Sequence, residues 1–198
     1  MLADPETRLP HEIRTERTCL RRWRAVDREP FARINADPRV AEFLHDPLTR
    51  EQSDAMIDRI EAHFTERGFS LWAVELPGIS LLAGCLGLQV PRFEAHFTPC
   101  VEIAWRLAPE HWGRGFATEA ARAVLAFGFE VLGLPEIVSF GVRENQRSRR
   151  VMERLGMTTD PREDFDHPAL DVGHPLSRHV LYRLASPSSS VEMPDGAG

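Results

Sequence analysis

Cysteine is scarce. Cys19, Cys85 and Cys100 are odd in number and far apart, which excludes a disulfide framework and a C-x-x-C metal pair and points to a reducing interior. Excess basic charge is also missing. The 24 Lys plus Arg against 30 Asp plus Glu give a net charge of −6, whereas a general nucleic-acid binder needs a basic face to displace counterions. An acidic surface of this kind leans toward a basic substrate. No apolar run is long enough to span a membrane, and the opening residues MLADPETRLPHEIR carry no secretory-signal pattern. A cytoplasmic protein without membrane or nucleic-acid partners is expected. There is no internal repeat, and no linker divides the chain.

What remains is ordinary for one globular domain: 198 residues, 42% hydrophobic and 27% charged. Residues 1–12 are polar with two prolines, and SPSSSVEMPDGAG from Ser186 lacks the apolar content to order itself. The expected organisation is a flexible N-terminus over 1–12, a single domain over 13–185 and a disordered tail over 186–198.

Strand and helix patterns alternate within the domain. RTERTCLRRW (14–23) reads as a first strand. Asp27 is placed to cap a helix through Phe31 and Ile34, and Thr49 with Gln52 to open another carrying Met56, Ile57, Ile60 and Phe64. FSLWAVEL (69–76) and LLAGCLGLQV (81–90), split by PGIS, form a hairpin pattern. VEIAWRLA (101–108) is a further strand. Ala117, Ala121, Val124, Leu125, Gly128 and Leu132 recur at helical spacing, with Gly133 as the stop. EIVSFGV (136–142) is a strand, 144–156 a short helix and HVLYRL (179–184) the last strand. The order strand, helix, strand, helix over 101–155 implies a crossover unit with two parallel neighbours.

The stretch HWGRGFATEA (111–120) sits where that crossover helix begins. A helix N-terminus presents unpaired N–H groups, and Gly113 and Gly115 let the backbone curl around an anion. The same glycines would equally serve a plain strand-to-helix turn. A Walker loop is excluded because no Lys-Ser/Thr follows, and a dinucleotide fingerprint because Thr118 stands where the third glycine belongs. Downstream, Asn145 is a good N-cap. Ser148 lies on the inward stripe with Val151, Met152 and Leu155, so its hydroxyl needs either a carbonyl four residues back or a ligand atom.

Taken together, WRLAPEHWGRGFATEA, ENQRSRRVMERLGM, RTERTCLRRWRAVD and the ERGFSLWAVE…GCLGL hairpin resemble the GCN5-related N-acetyltransferase (GNAT) superfamily, and within it the RimJ/RimL-type branch, over about residues 14–184. The resemblance implies an α/β fold: a V-splayed, mostly antiparallel sheet with one parallel strand pair and helices on both faces. It implies acetyl-CoA as co-substrate and no metal. Main-chain N–H groups from Gly113, Arg114, Gly115, Phe116, Ala117 and Thr118 would cradle the pyrophosphate. The strand at Trp105–Leu107 would bond the pantetheine and polarise the acetyl carbonyl, and Asn145 would contact the pantetheine arm. Trp112 departs from the Gln or Arg usual in the superfamily; a backbone role survives that change, a side-chain role does not.

The implied reaction is direct attack by a primary amine, a protein N-terminus or a small molecule, within a ternary complex. Glu102 is the candidate base, because many relatives carry a glutamate at a similar position; its plain alternative is an exposed carboxylate at a strand end. Ser148 is the candidate hydrogen-bond donor to the departing CoA sulfur. Arg147, Arg149 and Arg150 are either a solvated helix face or partners of the 3′-phosphate of CoA. The segment 163–179 holds Asp164, Asp166, His167, His174 and His179, but their spacing matches no compact ligand pattern. It reads as a loop over the acceptor cleft or a purely structural connection. Many members of the superfamily dimerise, so a homodimer is a natural expectation. The reading from another class is an acyl-CoA-binding module without turnover, serving as a sensor or partner protein.

Overall fold

The computed structural model of the chain describes residues 12–44 and 46–187. Near one end Glu12 is paired with Arg21, and near the other the Ser186 N–H bonds the Pro135 carbonyl at 2.8 Å. The expectations for residues 1–11 and 188–198 lie outside the described residues.

The strands are β1 (Glu12–Arg14), β2 (Cys19–Arg21), β3 (Leu71–Leu76), β4 (Ser80–Gln89), β5 (Glu102–Leu107), β6 (Glu136–Val142), β7 (Thr158–Thr159), β8 (Phe165–Asp166) and β9 (Arg178–Ala185). The helices are α1 (Arg28–Ala36), α2 (Pro38–Ala41), α3 (Arg50–Arg67), α4 (Phe116–Ala126) and α5 (Gln146–Arg154). The strands form one sheet in the order β1-β2-β3-β4-β5-β6-β9-β7, with β8 also on β9. Every pairing is antiparallel except β5 with β6. This is the mixed, splayed sheet with helices that the sequence leads one to expect.

Residues 14–23 are not one strand. Thr15 N–H bonds the Thr18 carbonyl at 2.9 Å, and the two threonine hydroxyls meet at 2.7 Å, turning the chain between β1 and β2. Asp27 precedes α1 but makes no side-chain cap. Its carboxylate instead receives Arg21 in a two-pronged pair, Nη1 to Oδ2 at 2.7 Å and Nη2 to Oδ1 at 2.9 Å. Arg21 Nε also donates to Glu75 at 2.7 Å and Nη2 to the Leu81 carbonyl at 2.8 Å. That buried guanidinium ties β2, β3, β4 and the start of α1 together.

Thr49 and Gln52 do form the reciprocal cap that opens α3: Thr49 N–H donates to Gln52 Oε1 at 2.8 Å and Gln52 N–H to Thr49 Oγ1 at 3.2 Å. The crossover helix α4 widens into one broader turn over Phe127–Val131, where Leu132 N–H reaches the Phe127 carbonyl at 3.2 Å. Gly128 within it packs so close to the sheet that a Cβ would lie 2.6 Å from Ile137 Cδ1 and 3.2 Å from Leu88 Cδ1. The crossover helix is thereby drawn onto the sheet.

Asp27→Ala leaves Arg21 buried with only Glu75 as a carboxylate partner. Urea denaturation should report a loss on the order of 3 kcal/mol, the usual consequence of breaking a buried ion pair from one side.

Candidate active site

The site begins where two strands part. Peptide groups of alternate residues point to opposite sides of a strand. The Val101 carbonyl accepts the Val138 N–H at 2.9 Å, and the Ile103 carbonyl accepts the Ser139 hydroxyl at 2.9 Å. Odd-numbered residues of this strand therefore point at β6. Trp105 and Leu107 point the same way, yet the register between β5 and β6 is limited to Glu102 with Val138. Beyond it the strands diverge, and the N–H and C=O of Trp105 and the N–H of Leu107 face the opening with no strand beside them. The Leu107 carbonyl is taken by the Trp112 indole, Nε1 to O at 2.8 Å. Trp112 thus has a side-chain role of its own, replacing the missing strand at one carbonyl.

The glycine loop closes one end of this opening. Gly113 (φ +71°) and Gly115 (φ +84°) are both left-handed, and nothing lies within 4 Å of a Cβ built at Gly113. Gly115 is the N-cap of α4 and supplies no side-chain cap, so the first-turn N–H groups of Phe116, Ala117 and Thr118 stay available. The first-turn carboxylate, Glu119, would oppose an anion here, but it is claimed elsewhere. It accepts from Thr15 Oγ1 at 2.6 Å, Arg17 N–H at 2.7 Å and Arg17 Nε at 2.6 Å. Burial pushes the Glu119 carboxyl up, but those hydrogen bonds and the Arg17 charge outweigh it and hold it below the ordinary value. Arg17 also donates to the Arg114 carbonyl at 3.2 Å, bracing the loop from behind.

Around the opening lies a cavity of about 290 Å³. It brings together Trp105, Leu107, Trp112, Gly113 and Gly115, and, from the helix starts, Phe116, Ala117, Thr118, Asn145 and Ser148. Asn145 caps α5, its Oδ1 accepting the Ser148 N–H at 3.1 Å. The Ser148 hydroxyl faces the cavity without a hydrogen-bond partner among the described residues. Arg114 does not line the cavity; its guanidinium lies 4.9 Å over the Phe116 ring. The arginines of α5 divide. Arg147 stacks on Trp112 at 4.5 Å and pairs with Glu42, Arg150 and Arg154 line the cavity, and Arg149 is tied to Tyr182 Oη at 3.3 Å and the Arg143 carbonyl at 3.2 Å.

Glu102 lies elsewhere. It lines a second cavity of about 340 Å³ with Met56, Arg59, Arg92, Phe93, Phe140 and His167. It is 6% exposed and accepts Gln89 Nε2 at 2.8 Å. Burial pushes its carboxyl up to about 8, against a smaller lowering by Gln89. It is no exposed strand-end carboxylate but a buried group that gains its proton near neutrality. Between the cavities stands Arg106, which lines the first and whose Nη1 bonds Asn35 Oδ1 at 2.6 Å and lies 3.7 Å from Met56 Sδ, a wall of the second.

Sequence reasoning missed Arg106, Asn35 and His111. Asn35 is fully buried and donates to Ser53 Oγ at 2.8 Å. His111 lines the first cavity with Nδ1 buried and unpartnered among the described residues. A buried asparagine in α1 was the one signal that a polar partner had to exist. Segment 163–179 sends His167 into the second cavity, while Asp164 pairs with Arg143 and Asp166 with Arg178. Among the described residues no three metal-ligating side chains converge, and no helix is long and apolar enough to cross a membrane.

Known proteins resemble this chain in sequence and fold. The family model described as an acetyltransferase (GNAT) domain matches residues 17–158. The uncharacterized N-acetyltransferase YoaA of Bacillus subtilis is 28% identical over 146 residues, covering 73% of this chain and 81% of its own. The FsC-acetyl coenzyme A-N(2)-transacetylase of Aspergillus fumigatus is 32% identical over 132 residues, 61% of this chain and 55% of that protein. A crystal structure of an acetyltransferase from Agrobacterium tumefaciens superposes with a TM-score of 0.71 at 26% identity, covering 94% of this chain and 97% of that one. A strand pair that opens onto a glycine loop, in a chain with these relatives, belongs to the GNAT family, and the protein is an N-acetyltransferase.

Proposed function

We propose that acetyl-CoA occupies the first cavity and a primary amine the second, and that the amine attacks the thioester directly within a ternary complex. The observation that carries this reading is the set of main-chain N–H groups left open at Trp105, Leu107 and the first turn of α4. Donors of that kind suit a molecule with a peptide-like arm and a diphosphate. The pantetheine amides pair with Trp105 and Leu107 as an added strand would. The N–H groups of Gly113 to Thr118 receive the pyrophosphate, with the positive end of α4 behind them. Asn145 touches the arm, and Arg150 and Arg154 supply positive charge to the remaining phosphate.

The chemistry has three demands. The amine arrives as an ammonium and must lose a proton; Glu102 takes it, through water where the amine does not reach. The carbonyl oxygen gains charge as the nitrogen attacks, and a strand N–H at the splay meets it. The sulfur departs with an electron pair, and the Ser148 hydroxyl donates a hydrogen bond to it. The acceptor is either a protein N-terminal amine, as the RimJ/RimL likeness suggests, or a small amine. The cytoplasm is the setting, consistent with three free cysteines.

Calorimetry should show coenzyme A binding to the wild type. Gly115→Val, which puts a branched side chain at φ +84° in the loop, should weaken that binding roughly tenfold or more while circular dichroism keeps its folded signature. Ser148→Ala should lower kcat roughly tenfold and leave coenzyme A affinity within about twofold, as expected of one neutral hydrogen bond that matters most in the transition state. Unchanged turnover removes Ser148 from the mechanism.

The Glu102 carboxyl is raised from 4.5 to about 8, so kcat/KM for the wild type should climb with pH and level off above about 8, and Glu102→Gln should erase the limb and cost roughly a hundredfold. Stability runs the other way. The fold favours protonated Glu102, so the contribution is full below about 4.5 and is lost as pH rises toward about 8. Thermal melts of Glu102→Gln should therefore gain on the wild type between pH 5 and pH 8.

A further inference from the structure

Arginine is the only strongly basic side chain in this protein: all 24 Lys-plus-Arg positions are arginine. Most of them are matched to carboxylates, from Arg21 with Asp27 to Arg183 with Glu163. Five of the described exceptions line the cavities, whereas Arg114, Arg122 and Arg149 do not. Arg106, Arg150 and Arg154 line the first and Arg59 and Arg92 the second, and among the described residues none of these five has an ion-pair partner. Phosphates account for the pair on α5. They do not account for Arg59 and Arg92, which stand on the acceptor side.

The acidic groups nearby are already engaged. Asp58 pairs with Arg28 and Glu61 with Arg22, and Glu94 does not line the second cavity. The histidines add no negative charge. His63 Nδ1 lies 2.6 Å from the Phe69 carbonyl, and Nε2 lies 3.4 Å from the Val90 N–H. His167 accepts Ala169 N–H on Nδ1 at 3.2 Å. Glu102 is the cavity's lone carboxylate, and it is buried, whereas both guanidiniums are exposed. Phe93, Phe140 and His167 form an aromatic wall. Arg106, on the partition, repeats the same sign: its guanidinium has Asn35 and Met56 for company and no carboxylate.

Resting on the reading of this cavity as the acceptor site, we propose that the acceptor is a primary amine that also carries a carboxylate, seated on Arg59 and Arg92 while the nitrogen passes the aromatic wall toward Glu102 and the thioester. Two guanidinium forks match one carboxylate in geometry as well as charge. A polyamine meets its own sign at the same place. The lean toward a basic substrate drawn from the net charge of −6 is thus reversed locally, since a cleft's own field decides what enters it.

The test uses probes of one shape and different charge. Acetyl transfer from acetyl-CoA is followed by thiol release with 4-(aminomethyl)benzoate, its carboxamide analogue and spermidine; the chain has no lysine amine to compete. The wild type should favour the carboxylate over the carboxamide roughly tenfold in kcat/KM, through KM, and favour both over spermidine. Arg59→Glu with Arg92→Glu should remove that preference and improve spermidine relative to both benzylic amines, while coenzyme A affinity stays unchanged. Equal use of carboxylate and carboxamide by the wild type overturns the proposal, as does a preference that survives charge reversal. Thiol release from none of the amines, with coenzyme A still bound, would instead refute the second cavity as an acceptor site.

Discussion

The divergence of β5 from β6 is the constraint on which the rest depends. A peptide group left without a partner away from water is costly, so a sheet that opens in its middle must answer for each N–H and C=O along the gap. The answers are specific. Ser139 caps the Ile103 carbonyl and Trp112 the Leu107 carbonyl. What remains unanswered is mainly donors, at Trp105, Leu107 and the first turn of α4. A protein that satisfies its exposed acceptors with side chains and leaves its donors bare has built a surface for a ligand rich in acceptors.

Charge placement follows from the same gap. Glu119 sits in the first turn of α4, where a carboxylate ordinarily stabilises the helix but would repel a phosphate. The β1–β2 turn resolves the conflict by bringing Thr15 and Arg17 onto it. That turn is held in place by β2, and β2 by the buried Arg21 network reaching Asp27, Glu75 and the Leu81 carbonyl. A buried ion pair of this kind contributes little net stability. Its effect is to fix the edge of the sheet against the glycine loop, so the two features act as one structural unit.

Legibility in the sequence tracked the range of the interactions. The α3 cap was readable because Thr49 and Gln52 are three residues apart and serve each other. The β3–β4 hairpin and the β5–α4–β6 crossover were readable because alternation, a short turn and a helical stripe are local signals. The turn inside 14–23 was not, since its two threonines break no pattern. Nor were β7 and β8, two-residue strands that exist only because β9, far along the chain, offers them an edge. Among the named residues, Gly113, Gly115, Asn145 and Ser148 were found through motif and resemblance, and the structure gathers them around one cavity. That Glu102 stands apart from Ser148, behind Arg106, depends on side chains of α1 and α3 that no motif connects to β5.

The partition has a chemical consequence. Glu102 on one side is nearly dry and held by Gln89 alone, so its proton affinity suits accepting a proton near neutral pH rather than standing ionised. On the other side the donors of the splay and the arginines of α5 make a field for anions. In the proposed reaction the first cavity would polarise the acyl group, and the buried carboxyl of the second would take the proton from the amine. The bent sheet achieves both with a single strand, β5, whose two ends open onto different pockets.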